Sequence, residues 1–414
     1  MGVDRRTFLK VAGATLGTLS LAPGVLREAL AQTNVIKVAA IHDLSGGLDI
    51  YGRPMVDCLA FAVQEINSAG GLLGKQLKLI NYDAQSDIQL YTRFAIEAAT
   101  KERVAVVHGG ITSASREAIR PVLKRFNTLY FYNTQYEGGV CDRNCFCTGS
   151  TPAQNVGKLV PFALKKFGKK VYTVAADYNY GQITAKWIKK FTQEHGGEVL
   201  HTDYFPLEVS DFGPAITKIQ AAKPDFVMSA LVGGNHVSFY RQWAASGMNK
   251  TTPVASTTFG NGLEHLVTTP EEHRGYICSQ SYYQEITTQA NQEFLKRLLP
   301  KYGSTTKYVT PLAIQSYHGL HLWTSAVEKA NSVDRMKVIE ALEANHSFSG
   351  PAGQTAIDSK THHCILDIYI AEAQNRGFKV LGSYPQQPPA DTAAVCDLKK
   401  NPNENQQYVI DVKA

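Results

Sequence analysis

What most constrains this chain is a long alternation of short, β-rich apolar runs with segments of helical apolar spacing, beginning at Ile36. Ile36 to Leu44 reads as a strand. Pro54 to Ser68 then places Met55, Leu59, Ala62 and Ile66 on one helical face, and Gly70-Gly71 ends that helix. The pattern continues with strands at Gln76–Tyr82, Val104–Val107 and Thr128–Tyr132, separated by helices at Ile88–Thr100 and Ser115–Phe126. Strands joined by helices of this length form βαβ units in a parallel sheet. The alternation restarts after Val156, with strands expected at Lys170–Ala175, Glu198–Phe205, Phe226–Leu231, Pro253–Thr257 and Gly275–Ser279. The fold class this predicts is α/β, with two doubly wound parallel-sheet lobes joined by a hinge.

Between the two series, Tyr136 to Pro152 is rich in Gly and Cys and reads as an irregular loop near a crossing between lobes. The last third differs: Gln289–Tyr302, Leu312–Asn331 and Val333–Ala344 are helical, and Ile365–Ala371 and Phe378–Tyr384 are strands. The Pro-, Asn- and Gln-rich tail from Pro385 is expected on the surface.

The first residues bear on the compartment. Asp4-Arg5-Arg6-Thr7-Phe8-Leu9-Lys10 leads into a weakly apolar run, Val11 to Val25, and Ala29-Leu30-Ala31 has a small-x-small cleavage pattern. Together they read as a twin-arginine signal peptide over 1–31, directing the mature protein to the periplasm. The apolar run is too short and too Gly-rich to span a bilayer, and no membrane span is expected in the mature chain. The formal charge of +6 falls to +4 without the signal, which holds four basic and two acidic residues. Its basic residues are scattered, so no nucleic-acid partner is expected.

All seven cysteines lie beyond the signal: Cys58, Cys141, Cys145, Cys147, Cys278, Cys364 and Cys396. An oxidising compartment permits disulfides, and an odd count leaves at least one thiol unpaired. Candidate pairs are Cys141 with Cys145 or Cys147, and Cys364 with Cys396; spacing does not choose the connectivity. Cys141-x3-Cys145-x-Cys147 is not a zinc spacing, and His362-His363-Cys364 reads as a polar loop, so no metal site and no cofactor are expected.

In open parallel sheets, ligands sit beyond the carboxyl ends of strands, where helices begin. Thr112 and Ser113 occupy such a junction, where their hydroxyls and free amides could grip a carbonyl or carboxylate, although capping alone also selects these residues. Tyr132, Thr134 and Tyr136 are spaced by two and would face one side of an extended segment, and Tyr178 and Tyr180 repeat the spacing in the second series. Thr257 and Thr258 follow a strand, and Gly233 permits close backbone approach.

Gln64-Glu65-Ile66-Asn67-Ser68-Ala69-Gly70-Gly71-Leu72-Leu73-Gly74 and Gly109-Gly110-Ile111-Thr112-Ser113 make the chain resemble the type I periplasmic solute-binding proteins of ABC transporters, the Leu/Ile/Val-binding-like family. Phe131-Tyr132-Asn133-Thr134-Gln135-Tyr136-Glu137-Gly138 and Asp177-Tyr178-Asn179-Tyr180 are similar to its urea and short-chain-amide branch. The resemblance implies an N-terminal lobe of 34–152 plus 282–348, a C-terminal lobe of 153–281 plus 349–384, and a tail of 385–414. It adds Tyr51, in the first loop after a strand, to the ligand contacts, and a membrane permease to the partners. Amino-acid binders of the family supply a second-lobe carboxylate, whereas Thr257-Thr258-Phe259-Gly260-Asn261-Gly262 has no acid before Glu264. Asp177 is expected to point away from the tyrosines.

The expected function is therefore binding of a small polar solute, of amide or urea type, in an interlobe cleft. The alternatives are branched-chain amino acids or small carboxylates as ligands, a ligand-sensing regulator, or a Cys-dependent hydrolase using Cys147 or Cys278. No catalytic constellation, phosphate loop or nucleophile elbow is present, and no His is placed by sequence beside either cysteine.

Overall fold

The computed structural model describes residues 35–305 and 307–412, so the candidate signal at 1–31 lies outside the described residues. The first series forms β1 (Val35–His42), β2 (Gln76–Asp83), β3 (Val106–Gly109) and β4 (Leu129–Tyr132), followed by two short strands, β5 (Val140–Asp142) and β6 (Cys145–Cys147). The first sheet has the order β2-β1-β3-β4-β6, with parallel registers for β1–β3, β3–β4 and β4–β6. Helices α1 (Asp49–Ser68), α2 (Ile88–Glu97) and α3 (Ser113–Arg125) connect its strands. After α4 (Val156–Phe167), the second series forms β7 (Lys170–Ala176), β8 (Glu198–Phe205), β9 (Phe226–Ala230), β10 (Val254–Ser256) and β11 (Ile277–Gln280), with α5 (Asn179–Glu194), α6 (Gly213–Ala222) and α7 (Gly234–Ala245) between them. Its parallel part has the order β8-β7-β9-β10-β11.

Counted along the chain, both sheets therefore run second, first, third, fourth, fifth. Each has a switch point between its first and third strands, where the helices that follow leave on opposite faces and open a crevice. The apolar runs that make β1 and β9 legible are buried because both faces of these strands are covered. Helices start where capping satisfies their free N–H groups: Thr112 forms a capping box with Ser115 at the start of α3, and Asp87 accepts from Gln89 at the start of α2.

The later elements pack back onto this frame. Helix α8 (Glu264–Val267) and helix α9 (Pro270–His273) are single turns, whereas α10 (Gln289–Tyr302) and α11 (Pro311–Ala330) are long. Helix α11 lies against α1, with Tyr317 stacked on Phe61 and edge-on to Phe294 of α10. After α12 (Arg335–Glu343), β12 (Ser347–Gly350), β13 (Gly353–Ile357), β14 (Cys364–Gln374) and β15 (Gly377–Gln387) extend the second sheet beyond β11 in antiparallel fashion.

Four expectations are corrected. Tyr136 to Pro152 is not an irregular loop: it contains β5 and β6, and Phe146 of β6 stacks on Phe131. The tail lies only in part on the surface: Lys399 to Asn403 are exposed, but other positions are anchored. From α13 (Ala390–Ala393) it runs as a strap, and β16 (Asn405–Gln407) pairs with β5, with Asp391, Thr392, Leu398 and Ile410 buried. The disulfide is Cys141–Cys396, and Cys58, Cys145, Cys147, Cys278 and Cys364 are free and buried. His362 and His363 are fully buried, not in a polar loop, because Phe146 and Tyr136 stack on them.

Candidate ligand-binding cleft

A cavity opens where the two switch points face each other, lined by Tyr51, Ile111, Thr134, Gln135, Tyr178, Tyr180, Val232, Thr258, Asn261 and Leu312. Tyr51 follows β1, Ile111 follows β3, and Thr134 and Gln135 follow β4. Tyr178 and Tyr180 follow β7, Val232 follows β9, and Thr258 and Asn261 follow β10. Leu312, from the first turn of α11, closes one side. The space is small, about 30 Å³ measured to the centre of a water-sized sphere, so the cleft is nearly shut.

No lining side chain is one that ionises as an acid or base near neutral pH. Burial pushes the phenols of Tyr51 and Tyr178 well up and that of Tyr180 to about 12, which keeps all three as neutral hydroxyls. The threonine hydroxyls are oriented by the backbone: Thr134 donates to Gly110 O at 2.9 Å and Thr258 to Leu231 O at 2.7 Å. With their protons engaged, both oxygens keep only acceptor capacity. Asn261 is 5 % exposed and its Oδ1 has no hydrogen-bond partner.

Hydrogen bonds cross the cleft at two places. Gln135 Nε2 donates to the Tyr180 hydroxyl and to Thr257 O, each at 2.8 Å. Tyr51 accepts the backbone N–H of Gly233 at 2.9 Å.

Of the residues singled out in sequence, Tyr51, Thr134, Tyr178, Tyr180 and Thr258 line this cavity. Thr257 and Gly233 stand behind it, bonded to Tyr180 and Tyr51. Thr112, Ser113, Tyr132 and Tyr136 are not brought to the wall. Thr112 caps α3, and Ser113 donates to Glu137 at 2.7 Å. Tyr132 donates to Ile111 O at 2.8 Å, and Tyr136 bonds to His363. Both rings lie under Arg116, which pairs with Glu137 at 3.0 Å. The spacing-by-two argument fails after Tyr132 because β4 ends there and the alternation of an extended strand no longer holds. Asp177 is exposed and accepts from Gln182, pointing away from the tyrosines as expected.

Ile111, Gln135, Val232, Asn261 and Leu312 were not singled out. The strand-end position of Gln135 and Asn261 was the available signal. Cys147 and Cys278 lie outside the lining. Cys147 does have a histidine beside it: burial raises its thiol, but Cys145 and His363 outweigh this and hold it well below the usual range. Cys147 and His363 are sealed in the core.

A family model described as a periplasmic binding protein domain matches residues 36–391. The chain belongs to the periplasmic binding protein family. Leu/Ile/Val-binding protein homolog 6 of Brucella melitensis is 24% identical over 371 residues, covering 88% of this chain and 92% of that protein. Among solved structures, a Rhodopseudomonas palustris BisB5 solute-binding protein in complex with 3,4-dihydroxybenzoic acid aligns with a TM-score of 0.78 at 22% identity, covering 86% of this chain and 99% of the other. A leucine-binding protein of Thermotoga maritima aligns with a TM-score of 0.76 at 20% identity, covering 84% and 99%. The fold is the type I form of this family, α/β with parallel-sheet lobes. Members of this family are substrate-binding proteins. They bind small molecules in the periplasm. Among the described residues, no helix is long and apolar enough to cross a membrane.

Proposed function

We propose that this protein is the extracytoplasmic binding component of an ABC uptake transporter for a small neutral solute of amide or urea type, exported through the twin-arginine pathway. In this reading, lobes of 34–152 plus 282–348 and 153–281 plus 349–384 close by hinge motion on a ligand held by Tyr51, Thr134, Gln135, Tyr178, Tyr180, Thr258 and Asn261.

The observation that carries the ligand class is the uncharged, acceptor-rich wall. Thr134 and Thr258 offer oxygens whose protons are already engaged. An amide or urea supplies N–H groups to such acceptors, and its carbonyl takes the phenol protons of Tyr51 or Tyr178. A second amide can pair in two-point fashion with Asn261. A carboxylate has no proton to give these oxygens and brings a charge with no cation on the wall. An amino acid brings an ammonium with no carboxylate there, and burying either charge unpaired is costly.

Titration calorimetry of the mature protein with acetamide, urea, leucine and 4-hydroxybenzoate at neutral pH separates these classes. Heat from acetamide or urea at micromolar affinity is expected. Micromolar leucine or 4-hydroxybenzoate with silent amides overturns the assignment.

A further inference from the structure

The segment Gly47–Tyr51, which leads from β1 into α1, is docked against the loops after β9 and β10 of the opposite sheet. A Cβ on Gly233 would lie 3.2 Å from Leu48 Cδ2, and one on Gly262 only 2.7 Å from Tyr51 Cδ1 and 2.9 Å from Ile50 O. At the centre, Tyr51 accepts the Gly233 N–H at 2.9 Å. Its hydroxyl lies 3.4 Å from Nε2 of His236, and the same Nε2 lies 3.4 Å from a carboxylate oxygen of Glu264. His236 and Glu264 are fully buried, and neither lines the cavity. Burial alone would raise the Glu264 carboxyl, but the hydrogen bond and charge of His236 outweigh it and hold it below its usual value. The carboxylate also accepts the N–H groups of Gly260 and Gly262, each at 3.0 Å, and so fixes the loop that carries Asn261.

We propose that Tyr51 is the latch of the closed cleft, and that Glu264, acting through His236 and the Gly260–Gly262 backbone, is the positioning residue that holds both Tyr51 and Asn261 in place. One ring nitrogen serves two neighbours. Donating Nε2–H to the carboxylate leaves the phenol oxygen facing His236, and burial, with the Glu264 charge beside it added, keeps the phenol protonated. The latch fastens the lobes through a neutral hydroxyl that also lines the cavity. This inference rests on the cleft being the site of closure, not on the ligand being an amide.

Hydrogen exchange of the ligand-free mature protein tests it without a ligand. Tyr51→Phe keeps the ring and removes the bonding oxygen. Exchange is expected to quicken about fivefold to tenfold in the segment holding Gly233 and, by the same factor, in 260–264 across the latch, with β1 and β7 unchanged. Glu264→Gln should reproduce the effect in both segments, and the double variant should add little to either alone. Faster exchange confined to the Gly233 segment, or none at all, overturns the latch, and so does additivity. Calorimetry with acetamide, urea, leucine and 4-hydroxybenzoate decides the ligand class separately, so either reading can fail without the other.

Discussion

Cys141 and Cys396 are joined in a disulfide across 255 positions of sequence, which ties the C-terminal strap to β5 in the first sheet. The strap is part of the wall behind the cleft. Gln407 Oε1 accepts from Arg116 at 2.8 Å, and the same guanidinium holds Glu137 and covers Tyr132 and Tyr136. Asp391 accepts from Thr151 at 2.7 Å and from the Ala153 backbone at 2.8 Å.

Replacing both cysteines by alanine should therefore loosen the strap. Closing so long a loop contributes up to roughly 5 kcal/mol in chain-entropy terms. The expected outcome is a lower urea midpoint together with faster hydrogen exchange in β16 and β5. An unchanged midpoint with unchanged exchange in 396–408 would show that the strap is held without the bond.

Ser113 and Asn261 should part company under substitution. Ser113 gives its proton to buried Glu137, so Ser113→Ala strands a carboxylate oxygen and should cost about 1–3 kcal/mol of stability. Its effect on affinity should be small, because it does not line the cavity. Asn261→Ala should leave the melting temperature nearly unchanged and weaken acetamide binding by about 0.5–1.5 kcal/mol. Thermal melts and calorimetry on both variants check this; the reverse pattern would place the ligand near Ser113.

The sheets were legible because strands and helices of ordinary length leave full periods in the sequence. Glu198–Phe205 and Gln289–Tyr302 fall where the pattern puts them. Three- and four-residue strands such as β5, β6 and β12 are too short to carry a period, and the strap's order comes from partners more than two hundred positions away. At the site, the strand-end rule reached residues whose type suggests chemistry, such as Tyr178 and Thr258. Ile111, Val232 and Leu312 look like core in sequence, since an apolar residue that faces a cavity and one that faces a neighbour read the same. Gln135 was passed over because the flanking Thr134 and Tyr136 were assigned to one face of a strand that has already ended at Tyr132.

That overlooked glutamine makes two hydrogen bonds across the cleft. Gln135→Leu retains most of the volume and removes both. Thr257 O still accepts from Gln280, and the Tyr180 hydroxyl still meets Thr257 Oγ1, so neither is stranded. The expected result is a loss of affinity of about 1–3 kcal/mol, appearing as faster ligand release rather than slower capture. Stopped-flow binding separates the two rates; a slower on-rate with normal release would show that Gln135 shapes the open form instead.

Acid should weaken the fold before it touches the site. Burial lowers His42 to about 3, with the charge of His108 adding to it, and lowers His108 to about 4 against its bond to Asn133. Burial likewise takes His318 to about 3 and His265 to about 4, the latter against the charge of Glu264. Between an ordinary histidine value near 6.5 and these folded values, the unfolded chain binds more protons than the native one. Stability is therefore complete above about pH 6.5 and falls as pH drops, by up to about 1.4 kcal/mol per unit for each histidine in its window. Asp43 works the other way: burial raises it to about 6, so the native state gains a proton there and part of the loss is offset. Burial also lowers His321 to about 4 and lowers His273, His346 and His362. The lowered histidines outnumber the raised carboxyls of Asp43, Asp391 and Glu285, so the net is a fall. Urea midpoints at pH 7.5, 6.0 and 5.0 should decline in that order, and His42→Leu, at a ring whose two nitrogens have no partner, should flatten the decline by up to one proton. Midpoints that stay level from pH 7.5 to 5.0 would mean that these histidines take up their protons in the folded protein.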